Sequence, residues 1–217
     1  LEKQYETFAR AGILFSGKEK SHGMREFILI NDRLSTISTP AEGKITIVQR
    51  SQYGCFMQVK LADYRAPKDR AAIEILMANY ALDPMGGGEA LPDEVLSGLC
   101  DALAEVANAA TILIFEGEAP VALATVLQGF STFKCKPLLN IHDVIVLPEY
   151  RGRGLAQRLM LEVEKLATQR GCCKLTLEVL QGNTVAQAVY QRCGFAAYEL
   201  DPQQGQALFW QKDLYGY

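Results

Sequence analysis

An apolar run from Ile141 to Leu147, interrupted by His142 and Asp143, leads through Pro148, Glu149 and Tyr150 into Arg151-Gly152-Arg153-Gly154. Directly after the second glycine, Leu155, Ala156, Leu159, Met160, Val163, Leu166 and Ala167 recur at helical spacing, and Gly171 supplies a stop. A strand from Lys174 to Leu180 follows. A strand, a crossover helix and a second strand imply parallel pairing with a right-handed connection, which confines the chain to a helix-covered sheet. The junction also implies chemistry. Amides of a first helical turn lack intrahelical acceptors and carry the positive end of the helix dipole, so Gly152 to Gln157 form a natural seat for a pyrophosphate. Arg151 and Arg153 add charge beside it.

Two other phosphate-binding loops are excluded by spacing. No segment reads G-x-x-x-x-G-K-[ST]. A dinucleotide loop needs G-x-G-x-x-G, and Gln157 stands where the third glycine would allow close helix–strand packing. Glu178 lies at a tempting distance for such a fold, but Pro148 to Arg151 interpose a loop where that turn is tight.

The remaining pattern fills in the sheet. Val59 and Leu61 mark a strand from Gln58, Pro67 opens a helix to about Tyr80, and Asp83 to Gly88 break it. Val95, Leu96, Leu99, Leu103 and Val106 define a second helix from Pro92. Thr111 to Phe115 and Pro120 to Gln128 read as a hairpin, and Leu138 to Leu147 as the next strand. After Leu180 come a short helix from Asn183 to Cys193 and two final strands near 195–200 and 207–212. The expected fold class is α/β (mixed α+β), a mostly antiparallel mixed sheet with helices on both faces. Residues 1–56 form an N-terminal extension of unassigned role, with short strands at Phe27 to Ile30 and Lys44 to Val48, and residues 57–217 form one catalytic domain.

With 217 residues, 49% of them hydrophobic, the chain can bury an ordinary core. A net charge of -3 argues against a general nucleic-acid binder. Six cysteines without a C-x-x-C pair suggest a reduced, cytoplasmic protein, and two histidines without ligand spacing suggest no metal. No apolar run reaches spanning length and no apolar signal core opens the chain, so no membrane association is expected.

Arg151-Gly152-Arg153-Gly154-Leu155-Ala156 resembles motif A of the GCN5-related N-acetyltransferases, R/Q-x-x-G-x-G/A. Asn183 to Phe195 is similar to that family's second motif, N-x-x-A-x-x-x-Y-x-x-x-G-F, with Ala186, Tyr190 and Gly194 in place. The element order from about Met57 also resembles the family's β-α-α-β-β-β-α-β-α-β-β, so the likeness spans roughly three quarters of the chain. It implies acetyl-CoA as cosubstrate and an amine-bearing acceptor attacked directly in a ternary complex. Motif A would hold the pyrophosphate through Arg151, Gly152, Arg153, Gly154, Leu155, Ala156 and Gln157. Backbone groups of Val144, Ile145 and Val146 would meet the pantetheine arm in a gap between splayed strands, with Asn183 and Ala186 at its mouth. Tyr190 would donate a proton to the departing thiolate. Either His142 or Asp143, at the family's base position, would take the amine's proton; alternation lets only one of them face the cleft, and the resemblance favours the histidine. Glu178 stands in reserve.

Plainer roles remain open: glycines that merely bound a helix, Asn183 as a simple cap, Tyr190 as a core aromatic, His142 as a bonded sheet residue. The acceptor pocket is expected at Asp83 to Gly88 and Gly129 to Phe133. Homodimers are common in the family and are carried as an expectation. A non-catalytic acyl-CoA-binding sensor with the same fold is the alternative.

Overall fold

The computed structural model describes residues 56–198, 203, 205 and 207–214, together with the backbones of four short upstream strands. Those strands are β1 (Phe15–Ser16), β2 (Glu26–Leu29), β3 (Ile37–Ser38) and β4 (Thr46–Arg50). They meander into β5 (Phe56–Leu61), with Ile47 opposite Val59, so both strands expected in the extension join the main sheet. Ile30, Lys44 and Ile45 lie outside the described residues.

Next come α1 (Pro67–Leu82), α2 (Asp93–Glu105), β6 (Ala109–Glu116), β7 (Ala119–Ser131), β8 (Lys136–Val146), α3 (Leu155–Gln169), β9 (Leu175–Leu177) and α4 (Thr184–Arg192). Strand order follows chain order, antiparallel throughout except β8 with β9. The mixed α/β architecture matches the sequence expectation. Pro67 occupies the first turn of α1, where its missing N–H costs nothing.

Each sheet face carries its own core. Ile112, Ile114, Ala124, Leu139 and Ile141 pack against Leu155, Leu159, Met160, Val163 and Leu166 of α3. Leu113, Phe115, Leu123, Ile145 and Leu147 pack against Ala72, Ile73 and Leu76 of α1 and Cys100 of α2. Leu159 and Leu76 are fully buried, each contributing on the order of 2 kcal/mol by area.

Two interruptions shape the site. Thr125 pairs with Asp143 and Val126 with Ile141, leaving His142 as the extra residue of a β-bulge. Before the bulge, Leu139 and Ile141 face α3; after it, Val144 and Val146 do. His142 and Asp143, lying between Ile141 and Val144, therefore share the opposite face, and the alternation that allowed only one of them into the cleft does not hold here. The second interruption is the brevity of β9, which stops at Leu177 rather than Leu180.

The two final strands are not formed among the described residues. Phe195 is drawn back onto α4, its N–H bonding the Tyr190 carbonyl at 3.0 Å, and among the described residues one backbone bond, from the Ala207 N–H to the Tyr198 carbonyl, links the two stretches; residues 199 and 200 lie outside them. A strand needs a ladder, and β9 offers too short an edge. Residues 129–131, expected in a substrate loop, instead extend β7 against Leu138, Pro137 and Lys136.

Candidate active site

Parallel pairing of β8 with β9 covers Leu139–Leu175, Asn140–Thr176 and Ile141–Leu177, then ends. Val144, Ile145 and Val146 continue along β7, paired with Ala124, Leu123 and Ala122. Their other edge faces a gap in which backbone groups have no strand partner, and a buried backbone polar group seeks one. The gap opens toward the N-terminus of α3.

That terminus is uncapped by any side chain, so the first-turn amides of Leu155, Ala156 and Gln157 lack intrahelical acceptors. Gly152 and Gly154 adopt φ of 75° and 77°, and a Cβ at either would meet no atom within 4 Å. The left-handed backbone, rather than crowding, requires glycine there, and it leaves open space for a ligand. These features fit a pyrophosphate.

Both arginines brace the loop. Arg151 donates from Nε to the Val146 carbonyl at 3.0 Å and from Nη2 to Asp83 Oδ2 at 2.8 Å. Arg153 reaches Glu116 Oε2 and the Glu149 carbonyl, each at 3.3 Å, and lies over the Tyr150 ring at 4.9 Å. Sequence reasoning gave these side chains to an anion alone and missed their protein partners.

Asp83 terminates α1 and organises the loop after it. Its Oδ1 accepts from the Met85 N–H at 2.8 Å, and its carbonyl from Gly86 at 2.7 Å and Gly88 at 3.1 Å. The Met85 N–H and Arg151 together hold its carboxyl below the usual carboxylate range. A Cβ on Gly86 would stand 2.0 Å from the Tyr80 carbonyl oxygen and 2.8 Å from its ring, so only glycine permits this close approach.

Tyr80 was missed by the sequence reading, yet it connects the ionisable groups. Burial raises its phenol, and the charges of Asp143 and Asp83 raise it further. Burial first, then Tyr80 and Cys193, push Tyr190 up to about 12, so its hydroxyl keeps its proton at any working pH. Tyr190 stacks edge-on against Phe195, with ring centroids 5.9 Å apart. Burial also raises the Asp143 carboxyl, while His142 and the hydroxyl of Thr125 pull it back. His142 itself is exposed.

Asn183 caps α4, its Oδ1 accepting from the Ala186 N–H at 3.1 Å. The side-chain amide remains as a donor. Glu178 is exposed, with both carboxylate oxygens 3.4 Å from Asn140 Nδ2. Threonines at two inward strand positions, Thr111 and Thr125, were legible as polar residues in apolar runs but drew no reading. Among the described residues no cluster of His, Cys, Asp or Glu is suited to a metal, and no helix is long and apolar enough to cross a membrane. A groove of about 630 Å³ beside α3 includes Gln157, Glu164, Lys174 and Arg192 but not Asp143, Tyr80 or Tyr190.

The model for the "Acetyltransferase (GNAT) family" matches residues 73–195. Aminoglycoside N(6')-acetyltransferase type 1 of Salmonella typhimurium is 33% identical over 63 residues, 29% of this chain and 43% of that protein. Thialysine N-epsilon-acetyltransferase of Bos taurus is 34% identical over 77 residues, 36% of this chain and 44% of that protein. The chain thus spans less than half the length of these curated relatives. In fold, it is similar to a possible acetyltransferase from Clostridium difficile 630, at a TM-score of 0.60 and 20% identity over 74% of this chain and 99% of that one. An aminoglycoside N-acetyltransferase crystallised with CoA gives a TM-score of 0.59 at 19% identity, covering 75% of this chain and 98% of that one.

Proposed function

The chain belongs to the GNAT acetyltransferase family, and from that premise we propose that it transfers an acetyl group from acetyl-CoA to a primary amine of a small molecule or peptide. The observation that carries this reading is the end of β8–β9 pairing at Ile141–Leu177, beyond which β8 runs on without a strand partner on that edge and leads to the uncapped N-terminus of α3. The first-turn amides of α3 and the loop from Arg151 to Gly154 would hold the diphosphate, and the free edge of Val144 to Val146 would hold the pantetheine. Asn183 and Ala186 would line the opening. Acetyl-CoA supplies the acetyl group as an activated thioester.

An ammonium must lose a proton before it can attack, and Asp143 takes that proton in this reading. Its partly desolvated carboxyl is a stronger base than a surface carboxylate, and its charge draws a cationic acceptor into the cleft. His142, exposed beside it, tunes Asp143 rather than replacing it. A backbone N–H on the free edge of β8 polarises the carbonyl under attack. Tyr190, always protonated, donates its hydrogen bond to the departing sulfur. Alignment of the two reactants provides most of the acceleration.

Aminoglycosides, thialysine and streptothricin, named in the relatives, all bear amines, which supports an amine acceptor. The test is release of free thiol from acetyl-CoA across polyamines, amino acids, aminoglycosides and peptide N-termini. Turnover on at least one establishes the activity. Tight CoA uptake without turnover on any would favour a non-catalytic sensor.

A further inference from the structure

One row of side chains crosses the sheet beneath the cleft. Thr111 on β6 is the register partner of Thr125 on β7, and Thr125 that of Asp143 on β8. Thr111 Oγ1 lies 3.2 Å from Thr125 Oγ1 and 3.0 Å from the Tyr64 hydroxyl. Thr111 and Thr125 are 1% and 5% exposed, inside a face otherwise built from leucine, isoleucine and phenylalanine. A buried hydroxyl in such a place must be satisfied, and these satisfy one another.

We propose that Tyr64, Thr111 and Thr125 form a directed hydrogen-bond chain that positions Asp143 as the base and sets the pH at which it becomes active. The inference rests on the reading of Asp143 given above. Direction follows from chemistry: an ionised carboxylate only accepts, so Thr125 donates to Asp143, accepts from Thr111, and Thr111 accepts from Tyr64. Thr125 is a positioning residue, since it touches the base and not the acceptor.

The other groups facing Asp143 are His142 on its own strand and Tyr80 on α1, with Asp83 and Tyr190 beyond Tyr80. Of these groups, Thr125 is the one that hydrogen-bonds the carboxyl, while His142 acts on it by charge from the exposed side. Tyr80 and Tyr190 stay protonated and so add no charge that titrates with it.

The experiment compares wild type, Thr125→Val, Thr125→Ser and Asp143→Asn with one fixed acceptor, following kcat/KM against pH. Loss of the donor raises the carboxyl, so Thr125→Val moves the ascending limb upward by about one pH unit, whereas Thr125→Ser leaves it in place. Thr111→Val moves it in the same direction by less, and decides the matter if Thr125→Val does not fold. A second readout needs no cosubstrate. The pH above which the melting-temperature gap between wild type and Asp143→Asn stops widening shifts upward when both carry Thr125→Val. Abolition of the limb in Asp143→Asn, together with an unmoved limb and an unmoved end to the widening of that gap in Thr125→Val, overturns this inference alone. Retention of wild-type rate and limb in Asp143→Asn removes Asp143 as base, and the inference falls with it.

Discussion

Arg151 Nη2 lies 2.8 Å from Asp83 Oδ2, joining the loop that ends α1 to the loop that opens α3. The same guanidinium holds the Val146 carbonyl, so the loop proposed to meet the acceptor and the turn proposed to seat the diphosphate share one side chain. Asp83→Asn should release Arg151 toward an anion while slackening the acceptor loop. CoA affinity measured by calorimetry should hold or tighten, and acceptor KM should rise several-fold. Loss of CoA binding would contradict this account of the link.

The Asp83 carboxyl is lowered in the fold, so its contribution to stability is present above the unfolded carboxylate range and is lost as pH falls through its lower folded value. Acid unfolding of wild type and Asp83→Asn should therefore converge only at the acidic end of the titration. Melting curves recorded between pH 2.5 and 6 check the sign.

Tyr190→Phe keeps the ring against Phe195 and removes the donor. Turnover should fall on the order of 100-fold with CoA affinity unchanged. Because the phenol is pushed up to about 12, the wild-type rate profile should show no alkaline limb from its ionisation in the usual assay range.

Gly154→Ala places a Cβ on a backbone with φ of 77°, at a cost of about 1–2 kcal/mol if the conformation is kept. Open space around that Cβ means the loss comes from the backbone and from obstruction of the ligand, not from core packing. Calorimetry should register at least a tenfold weaker CoA affinity alongside a modest drop in melting temperature.

Asp143→Asn should trade activity for stability. A carboxyl raised by burial contributes its full stability below the unfolded range and loses it as pH rises through the folded value, so the neutral amide gains over the aspartate in the neutral range. Turnover should drop on the order of 100-fold. The melting temperature at pH 7.5 should rise, and the difference should vanish toward pH 3.

Much of the fold was legible because the signals were local and redundant. Leu155, Leu159, Met160, Val163, Leu166 and Ala167, picked out by spacing, are the buried face of α3. Positive φ at Gly152 and Gly154 follows from their place between a strand and a helix. Three things were hidden, each for a physical reason. Sequence alternation cannot register an extra residue inside a strand, so the bulge at His142 and the shared face of His142 and Asp143 went unseen. Pattern alone cannot say whether an edge exists for a strand to join, so the stretches near 195–200 and 207–212 read as strands, and no strand forms among their described residues. Tyr80 and the Thr111–Thr125 row meet Asp143 only through register between strands and helices distant in sequence, which no local window contains.

Many side chains could stand at position 142 without disturbing the interior, because this one projects into water. Removing the residue would close the bulge and make Asp143 follow Ile141 directly, and ordinary alternation would then keep Val144 and Val146 on one hydrophobic layer and Ile145 and Leu147 on the other. What such a shortened strand loses is the local bend beside Asp143, whereas one more residue inserted at the same point would send every later side chain to the wrong layer. Tolerance to removal combined with intolerance to insertion is thus the mark this strand should leave in any library of variants.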